Sequence, residues 1–321
     1  MKIFVTGAAG YIGSVVTERL VEQGHAVVAF DNLSHGFRDA VHPGAEFIEG
    51  DLLDREALFG TIRAGRFDAV VHLAAEALID ASIRDPGLFF RANTIGGLNL
   101  LDAMAAGGVP RMVFSSTAAV YGEPAGVPIS EDAPTRPVNA YGESKLAFER
   151  ALPWYRRAHA IRHVSLRYFN ACGATERCGE RHEPETHLIP ILLDVASGRR
   201  DAIQLFGTDY DTADGTCLRD YVHVRDIAEA HVLCLEQLDT IGGDVFNLGN
   251  GTGYTNRQVI DAVQRVTGRQ IAVVPAPRRA GDPARLVASS DRIRQIVGWT
   301  PALPRLEPMI ESAWRWARVN A

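Results

Sequence analysis

The sequence predicts an α/β fold: a doubly wound parallel sheet with helices on both faces, followed by a smaller C-terminal lobe. Three observations carry that reading. Short β-branched runs alternate with longer amphipathic segments through the first half, the rhythm of strands joined by crossover helices. Several of the runs are continuously apolar, as suits strands buried on both faces. Gly7, Gly10 and Gly13 follow the first run and open the first amphipathic segment.

In chain order, Ile3-Phe4-Val5 marks a strand at 3–6, and the glycine turn leads into a helix at 12–23. Further strands are predicted at 26–30, 46–49, 69–73, 111–115 and 163–168, with helices near 54–64, 89–106 and 140–159 between them. From about Asn170 the texture changes. Loops lengthen, Gly, Pro and charged residues cluster, and short helices are predicted near 187–198, 225–238, 255–266 and 304–317. Residues 1–170 therefore read as a dinucleotide-binding domain of the Rossmann type and 171–321 as a substrate lobe. A return of the chain to the first domain near 219–250 is left open.

The 321 residues suffice for a full core and two lobes. Apolar residues at 46% and charged residues at 22% are ordinary for a globular chain. A net charge of -6 without a basic block argues against nucleic acid or an anionic membrane as partner. No run approaches the ~18 apolar residues of a membrane-spanning helix. Met1-Lys2 passes straight into a strand, so no signal peptide is expected. Cys172, Cys178, Cys217 and Cys234 show no metal-ligand spacing; reduced cytoplasmic thiols and no metal are expected.

In Thr6-Gly7-Ala8-Ala9-Gly10-Tyr11-Ile12-Gly13 the glycines permit a tight turn, close approach to a pyrophosphate and close helix–strand contact. The pyrophosphate would lie at the positive N-terminus of the helix. The spacing is G-x-x-G-x-x-G, and a purely structural strand–helix turn is the alternative. Asp31, eighteen positions past Gly13, ends the second strand, where a carboxylate binds both adenosine ribose hydroxyls and repels the 2′-phosphate of NADP. NAD is thus the expected cofactor, with Asp51-Leu52 as a candidate adenine contact. The alternative for Asp31 is a loop acid.

Tyr141 and Lys145 stand four apart in Tyr141-Gly142-Glu143-Ser144-Lys145, on one helix face. An ammonium beside a phenol favours the phenolate and lowers the Tyr pKa from about 10. Tyr141 is therefore a candidate general base for a sugar or alcohol hydroxyl. Alone, the pair could equally be a solvated i,i+4 contact.

Taken with those, the runs Asp31-Asn-Leu33, His72-Leu-Ala-Ala75, Phe114-Ser-Ser-Thr-Ala-Ala-Val-Tyr-Gly122 and Arg167-Tyr-Phe-Asn170 resemble the extended short-chain dehydrogenase/reductases. Within them, the chain is most similar to the UDP-glucose 4-epimerases. Phe206-Gly-Thr-Asp-Tyr210, Asp214-Gly-Thr216, Arg219-Asp-Tyr-Val-His-Val224, Asn247-Leu-Gly249 and Arg278-Arg-Ala-Gly-Asp282 carry that finer likeness, which runs from residue 1 to about 300. The resemblance implies Tyr141 as base, Lys145 as its partner and Thr117 as the hydroxyl that bonds the reacting group. It implies NAD contacts at Gly7, Gly10, Tyr11, Ile12, Gly13, Asp31, Asn32, Asp51, Leu52, Leu73, Ala74, Ala75, Asn93, Ser115, Tyr141, Lys145 and Tyr168. It implies UDP-sugar contacts at Thr117, Asn170, His187, Leu188, Arg219, Arg279, Asp282 and Leu286, and a homodimer through the helices near 89–106 and 140–159. Ala77 stands where some of these enzymes have Lys, and His187 where others have Asn. His72 and His223 read as structural.

The chemistry so implied is C4 epimerisation of a UDP-hexose, UDP-glucose or UDP-galactose, through a transient 4-keto sugar. The C4–H bond is not acidic, so inversion needs hydride removal and return, with the UDP gripped throughout. A 4,6-dehydratase would need an acid pair where this chain has Thr117-Ala118-Ala119. UDP-N-acetylglucosamine, UDP-xylose/arabinose and UDP-uronate 4-epimerases remain alternatives, as do a UDP-sugar decarboxylase and a dehydrogenase that releases NADH. A non-catalytic NAD-sensing protein is disfavoured, because Thr117, Tyr141 and Lys145 are present together.

Overall fold

The computed structural model describes residues 1–279 and 282–320; Ala280 and Gly281, inside the Arg278-to-Asp282 run, lie outside the described residues. Seven strands form one parallel sheet: β1 (Lys2–Thr6), β2 (Ala26–Asp31), β3 (Glu46–Glu49), β4 (Ala69–His72), β5 (Arg111–Thr117), β6 (Arg162–Tyr168) and β7 (Asp244–Leu248). Their spatial order is β7-β6-β5-β4-β1-β2-β3. The predicted doubly wound architecture is the one observed.

Alternation along each strand sends side chains to two separate cores. Ile3, Val5, Val27, Ala29, Val71 and Val113 face helices α1 (Tyr11–Glu22) and Val224–Ile241, through Val16, Leu20, Ile227 and Leu235. Phe4, Val28, Phe30, Val70, Met112 and Phe114 face α2 (Arg55–Gly65), α3 (Gly96–Gly107) and α4 (Ala140–His159), through Leu58, Leu101, Met104 and Phe148. Burial on both faces explains why these strands read as unbroken apolar runs.

The order reverses between β1 and β4, and in such sheets ligands bind beyond the carboxyl ends of the strands at that point. Thr6, Asp31, His72, Thr117 and Tyr168 are the last residues of five strands there.

The helix expected at 89–106 is interrupted. Pro86–Phe89 is α-helical, Phe90–Ile95 is a π-helical stretch, and α3 follows. The wider turn accompanies Asn93, whose amide leaves the helix surface to bond Glu76 and Ser144. A further helix, Ile79–Arg84, has no counterpart in the sequence reading.

After β6 the chain builds a third core from helices Leu188–Ser197, Asn256–Thr267 and Leu306–Val319, around Leu192, Val263 and Met309. Between them, Val224–Ile241 packs on α1, and β7 joins the main sheet beside β6. Short strands Leu218–Arg219 and Arg285–Leu286 pair in parallel, with Leu286 opposite Arg219. No helix among the described residues is long and apolar enough to cross a membrane.

Candidate active site

One cavity of about 1140 Å³ runs from the glycine turn to the strand pair at 218–219 and 285–286. At its first end, Gly7 has a positive φ of 71°, and a Cβ there would lie 2.4 Å from Ala74 N. A Cβ on Gly13 would meet Gly7 O at 1.9 Å. These two positions admit only glycine, which lets β1 and α1 close on each other. Gly10 caps α1 with no side-chain acceptor, so the amides of the first turn stay free to meet an anion at the positive end of the helix.

Asp31 ends β2 beside this turn. Its Oδ2 accepts from Ala9 N at 2.9 Å and its Oδ1 from Leu33 N at 2.8 Å. Burial raises its pKa, and the two backbone donors act against that. A Cβ on Gly36 would come within 2.9 Å of Asp31 Oδ1, so glycine keeps the carboxylate approachable. Asn32 Nδ2 donates to Asp51 Oδ2 at 3.0 Å, and Asp51, Leu52, Leu73, Ala74 and Ala75 line the same end. The free acceptor capacity of Asp31 and the uncapped helix suit a ribose and a pyrophosphate.

The middle of the cavity is built by α4. Asn139 caps it by accepting from Gly142 N at 2.8 Å. A Cβ on Gly142 would lie 2.6 Å from Ala119 O, so glycine between Tyr141 and Lys145 lets the helix close on the turn after Thr117. Tyr141, Lys145 and Thr117 all line the cavity. Lys145, 2% exposed, donates to Ser115 O at 2.9 Å and lies 5.0 Å over the Phe114 ring.

The electrostatics correct the expectation drawn from spacing. Burial raises the Tyr141 pKa, with the Thr117 hydroxyl opposing it, and pushes Lys145 down to about 7, with the Glu149 charge opposing. Side-by-side placement does not yield a phenolate here, because burial penalises both charged forms. Glu149, four residues past Lys145, is turned to Arg167, which donates to it at 2.6 Å and 3.0 Å, and it also accepts from Ser116. Lys145 thus has no direct carboxylate partner among the described residues.

Tyr168 donates to His231 Nε2 at 2.6 Å, while His231 Nδ1 lies 2.9 Å from Ile227 O. The carbonyl requires the proton on Nδ1 and so fixes His231 as an acceptor towards Tyr168. His72, bonded to Thr6 at 2.7 Å, and His223, bonded to Ser312 at 3.0 Å, are buried, and their pKa values fall to about 3 and about 4.

At the far end, Asn170 donates to Asp220 O at 2.8 Å, and His187 Nδ1 lies 2.8 Å from Glu185. Arg219 and Asp282 form an ion pair in the cavity wall, and Arg279 stacks over Phe206 at 4.3 Å. Leu286 and Leu188 line the cavity, and Leu286 also packs on the cluster around Val120, Leu146 and Phe169.

All but one of the sequence-derived residues, including Tyr11, Ile12 and Ser115, line this single cavity. The exception is Asn93. It is 2% exposed, and its amide is spent on Glu76 and Ser144, so it braces the loop at 76 against α4 and does not form cavity wall. Sequence reading missed Ser116, Glu149 and Arg167; the i,i+4 spacing of Lys145 and Glu149 was the available signal. It also missed Glu180, His182 and Glu185, which join His187 in the cavity wall.

The sequence model of the NAD dependent epimerase/dehydratase family matches residues 3–249. The UDP-glucose 4-epimerase of Corynebacterium glutamicum is 49% identical over 314 residues, covering 98% of this chain and 95% of that protein. Among solved structures, a UDP-glucose 4-epimerase superposes with a TM-score of 0.96 at 46% identity, covering 99% of this chain and 98% of that one. The UDP-glucose 4-epimerase from Bifidobacterium longum, in complex with NAD+ and UDP, superposes with a TM-score of 0.95 at 33% identity, covering 100% and 99%.

Proposed function

This chain belongs to the NAD dependent epimerase/dehydratase family, and on that premise we propose that it inverts C4 of a UDP-hexose, interconverting UDP-glucose and UDP-galactose. One observation carries the reading: Tyr141, Thr117 and a buried, carboxylate-free Lys145 meet in the middle of a cavity with a dinucleotide cradle at one end and an Arg219–Asp282 pair at the other. The cofactor is NAD, which when bound takes the C4 hydride and returns it.

In this reading Tyr141 removes the O4 proton, and Thr117 orients that hydroxyl. Lys145 holds the nicotinamide ribose and supplies positive charge beside the phenol. The burial that raises the Tyr141 pKa in the free chain also makes each nearby positive charge count for more. Asp31 takes the adenosine ribose hydroxyls and excludes the 2′-phosphate of NADP. Arg219 and Arg279 take the diphosphate, and Asp282 the uridine ribose. Asn170, His187, Leu188 and Leu286 bound the sugar.

Incubation with UDP-galactose and no added nucleotide tests this. Formation of UDP-glucose without net NADH supports the epimerase; NADH that accumulates once NAD is added would establish a dehydrogenase, and no turnover with or without NAD a non-catalytic NAD protein.

Two wider expectations accompany the reading. Ile83, Phe90, Ile95 and Trp154 are exposed by 60%, 37%, 48% and 67% on the helices from 79 to 107 and on α4, which suits a homodimer through that face. Sedimentation of Trp154→Glu against the unchanged protein tests it. The four free, buried cysteines suit the reducing cytoplasm.

A further inference from the structure

Between strand Asn170–Cys172 and helix Leu188–Ser197, the run Glu180-Arg-His182-Glu-Pro-Glu185-Thr-His187 folds over the cavity. One carboxylate oxygen of Glu180 and one ring nitrogen each of His182 and His187 lie within 4.8 Å of one another. A tetrahedral cation with bonds of about 2.0–2.1 Å needs its ligand atoms about 3.4 Å apart, so small side-chain rotations complete the set.

Two further observations point to a cation. The side chains of Glu180 and Glu185 are each 12% exposed, and among the described residues each is partnered by a histidine, His182 and His187, and not by a Lys or Arg. Arg181, which stands between them in sequence, is turned away to Asp39 at 2.6 Å and stacks on Phe37. Two carboxylates and two imidazoles thus gather without a permanently charged base, a donor set that a divalent cation can bind once the imidazoles are neutral. In addition, Glu185 Oε1 holds His187 Nδ1 at 2.8 Å, while Glu180 Oε1 takes His182 Nδ1 at 2.5 Å. Neither His182 Nε2, His187 Nε2 nor Glu180 Oε2 bonds a group of the described residues. For His187, a carboxylate on one ring nitrogen with the other left bare is how metal-binding histidines are oriented; at His182 the cation takes the place of the proton shared between Nδ1 and Glu180, so that both atoms become ligands.

We propose that Glu180, His182 and His187 bind one divalent cation of the zinc class, with Glu185 orienting His187 from behind. Two imidazoles and one carboxylate suit Zn²⁺ or Co²⁺ and not Mg²⁺ or Ca²⁺, which prefer all-oxygen shells. Three protein ligands leave a fourth position for water on the cavity side. The ion pins the loop at 180–187 to the start of the following helix and fixes His187 in the cavity wall. The inference stands apart from the epimerase reading, since its test measures metal and not turnover.

Full-length protein, stripped with chelator and dialysed against micromolar Zn²⁺ or Co²⁺, should retain about one ion per chain, and the Co²⁺ form should show the visible absorption of a tetrahedral site. Glu180→Gln and His182→Gln should each lose the ion and the spectrum. Glu185→Gln should weaken binding by ~10–100-fold. His42→Gln, a half-buried histidine elsewhere, should change neither. Circular dichroism and a Zn²⁺ titration of the melting temperature separate misfolding from ligand loss: Zn²⁺ should raise it in the unchanged protein and not in folded His182→Gln. Undiminished metal in Glu180→Gln and His182→Gln would overturn the proposal, as would no retained ion in the unchanged protein.

Discussion

Replacing Lys145 with Met should stabilise the nucleotide-free protein near neutral pH while removing turnover. Lys145 is 2% exposed, and among the described residues its only hydrogen-bond partner is the Ser115 carbonyl at 2.9 Å. Burial brings its pKa from 10.5 to about 7. In the unfolded chain at pH 7 the amine is protonated; in the folded chain it is about half so. Each pKa unit is worth about 1.4 kcal/mol, so the folded protein carries a penalty of about 4 kcal/mol at pH 7. The unfolded chain binds more protons between pH 7 and 10.5, so the penalty shrinks as pH rises through that window and is full below it. Met fits the hydrocarbon volume but forfeits the hydrogen bond to Ser115, worth about 1–3 kcal/mol. The net gain is about 1–3 kcal/mol, roughly 2–6 °C in Tm for a chain of this size. Nucleotide must be removed first, since bound ligand adds its own stabilisation. The assay is thermal unfolding of both proteins from pH 6 to 10: the advantage of Lys145→Met should be largest at pH 6–7 and vanish towards pH 10. Parallel curves would refute a buried, strained ammonium at Lys145.

Tyr141→Phe should lower turnover by about 10²–10⁴-fold and leave UDP affinity within twofold, because the hydroxyl acts on the proton and not on the nucleotide; calorimetric UDP binding beside a coupled assay checks both. Asp31→Ala combined with Asn32→Arg should raise affinity for NADP relative to NAD, read by cofactor titration; unchanged preference would place Asp31 away from the ribose. Leu286 lines the cavity and is smaller than an aromatic side chain, so it should admit UDP-N-acetylglucosamine at a slower rate than UDP-glucose. Leu286→Tyr should then abolish the former activity and spare the latter, whereas equal loss on both would put the size gate elsewhere.

Much of the fold was legible because its signals are local and repeated. Apolar strands, a glycine turn and the break in texture after Asn170 each follow from a few neighbouring residues. The ends of β1 and β6 were legible for the same reason, whereas β5 runs two residues past its expected end, and Asp31, Thr117 and Tyr168 at three of the strand ends line one cavity. What escaped notice depends on long-range partners. Spacing places Glu149 on the Lys145 face, but nothing near it says that Arg167 from β6 captures the carboxylate and leaves the ammonium alone. The π-helical stretch follows from where Asn93 finds its partners, 17 residues back and 51 residues on, and so no helical periodicity could show it. Spacing also gave the wrong sign for Tyr141. Adjacency of opposite charges lowers a phenol pKa only where burial does not first suppress the charges themselves.

Returning hydride to the opposite face of C4 requires a sugar that turns while its nucleotide stays fixed. On the proposed reading these two demands meet on one short strand pair. Leu286 stands directly opposite Arg219, so the apolar wall beside the sugar and the cation on the diphosphate share a backbone register. An apolar wall suits turning, because it offers the sugar hydroxyls no directed bond that would favour one face. Hydrogen-bonding groups placed all round the ring would stabilise a single orientation and slow the turn by the amount they contribute. The Arg219–Asp282 pair is already formed beside that wall, so its guanidinium and carboxylate are oriented before substrate arrives. Binding energy from the distant UDP then holds the 4-keto sugar through its rotation, which is where remote contacts have most effect on rate.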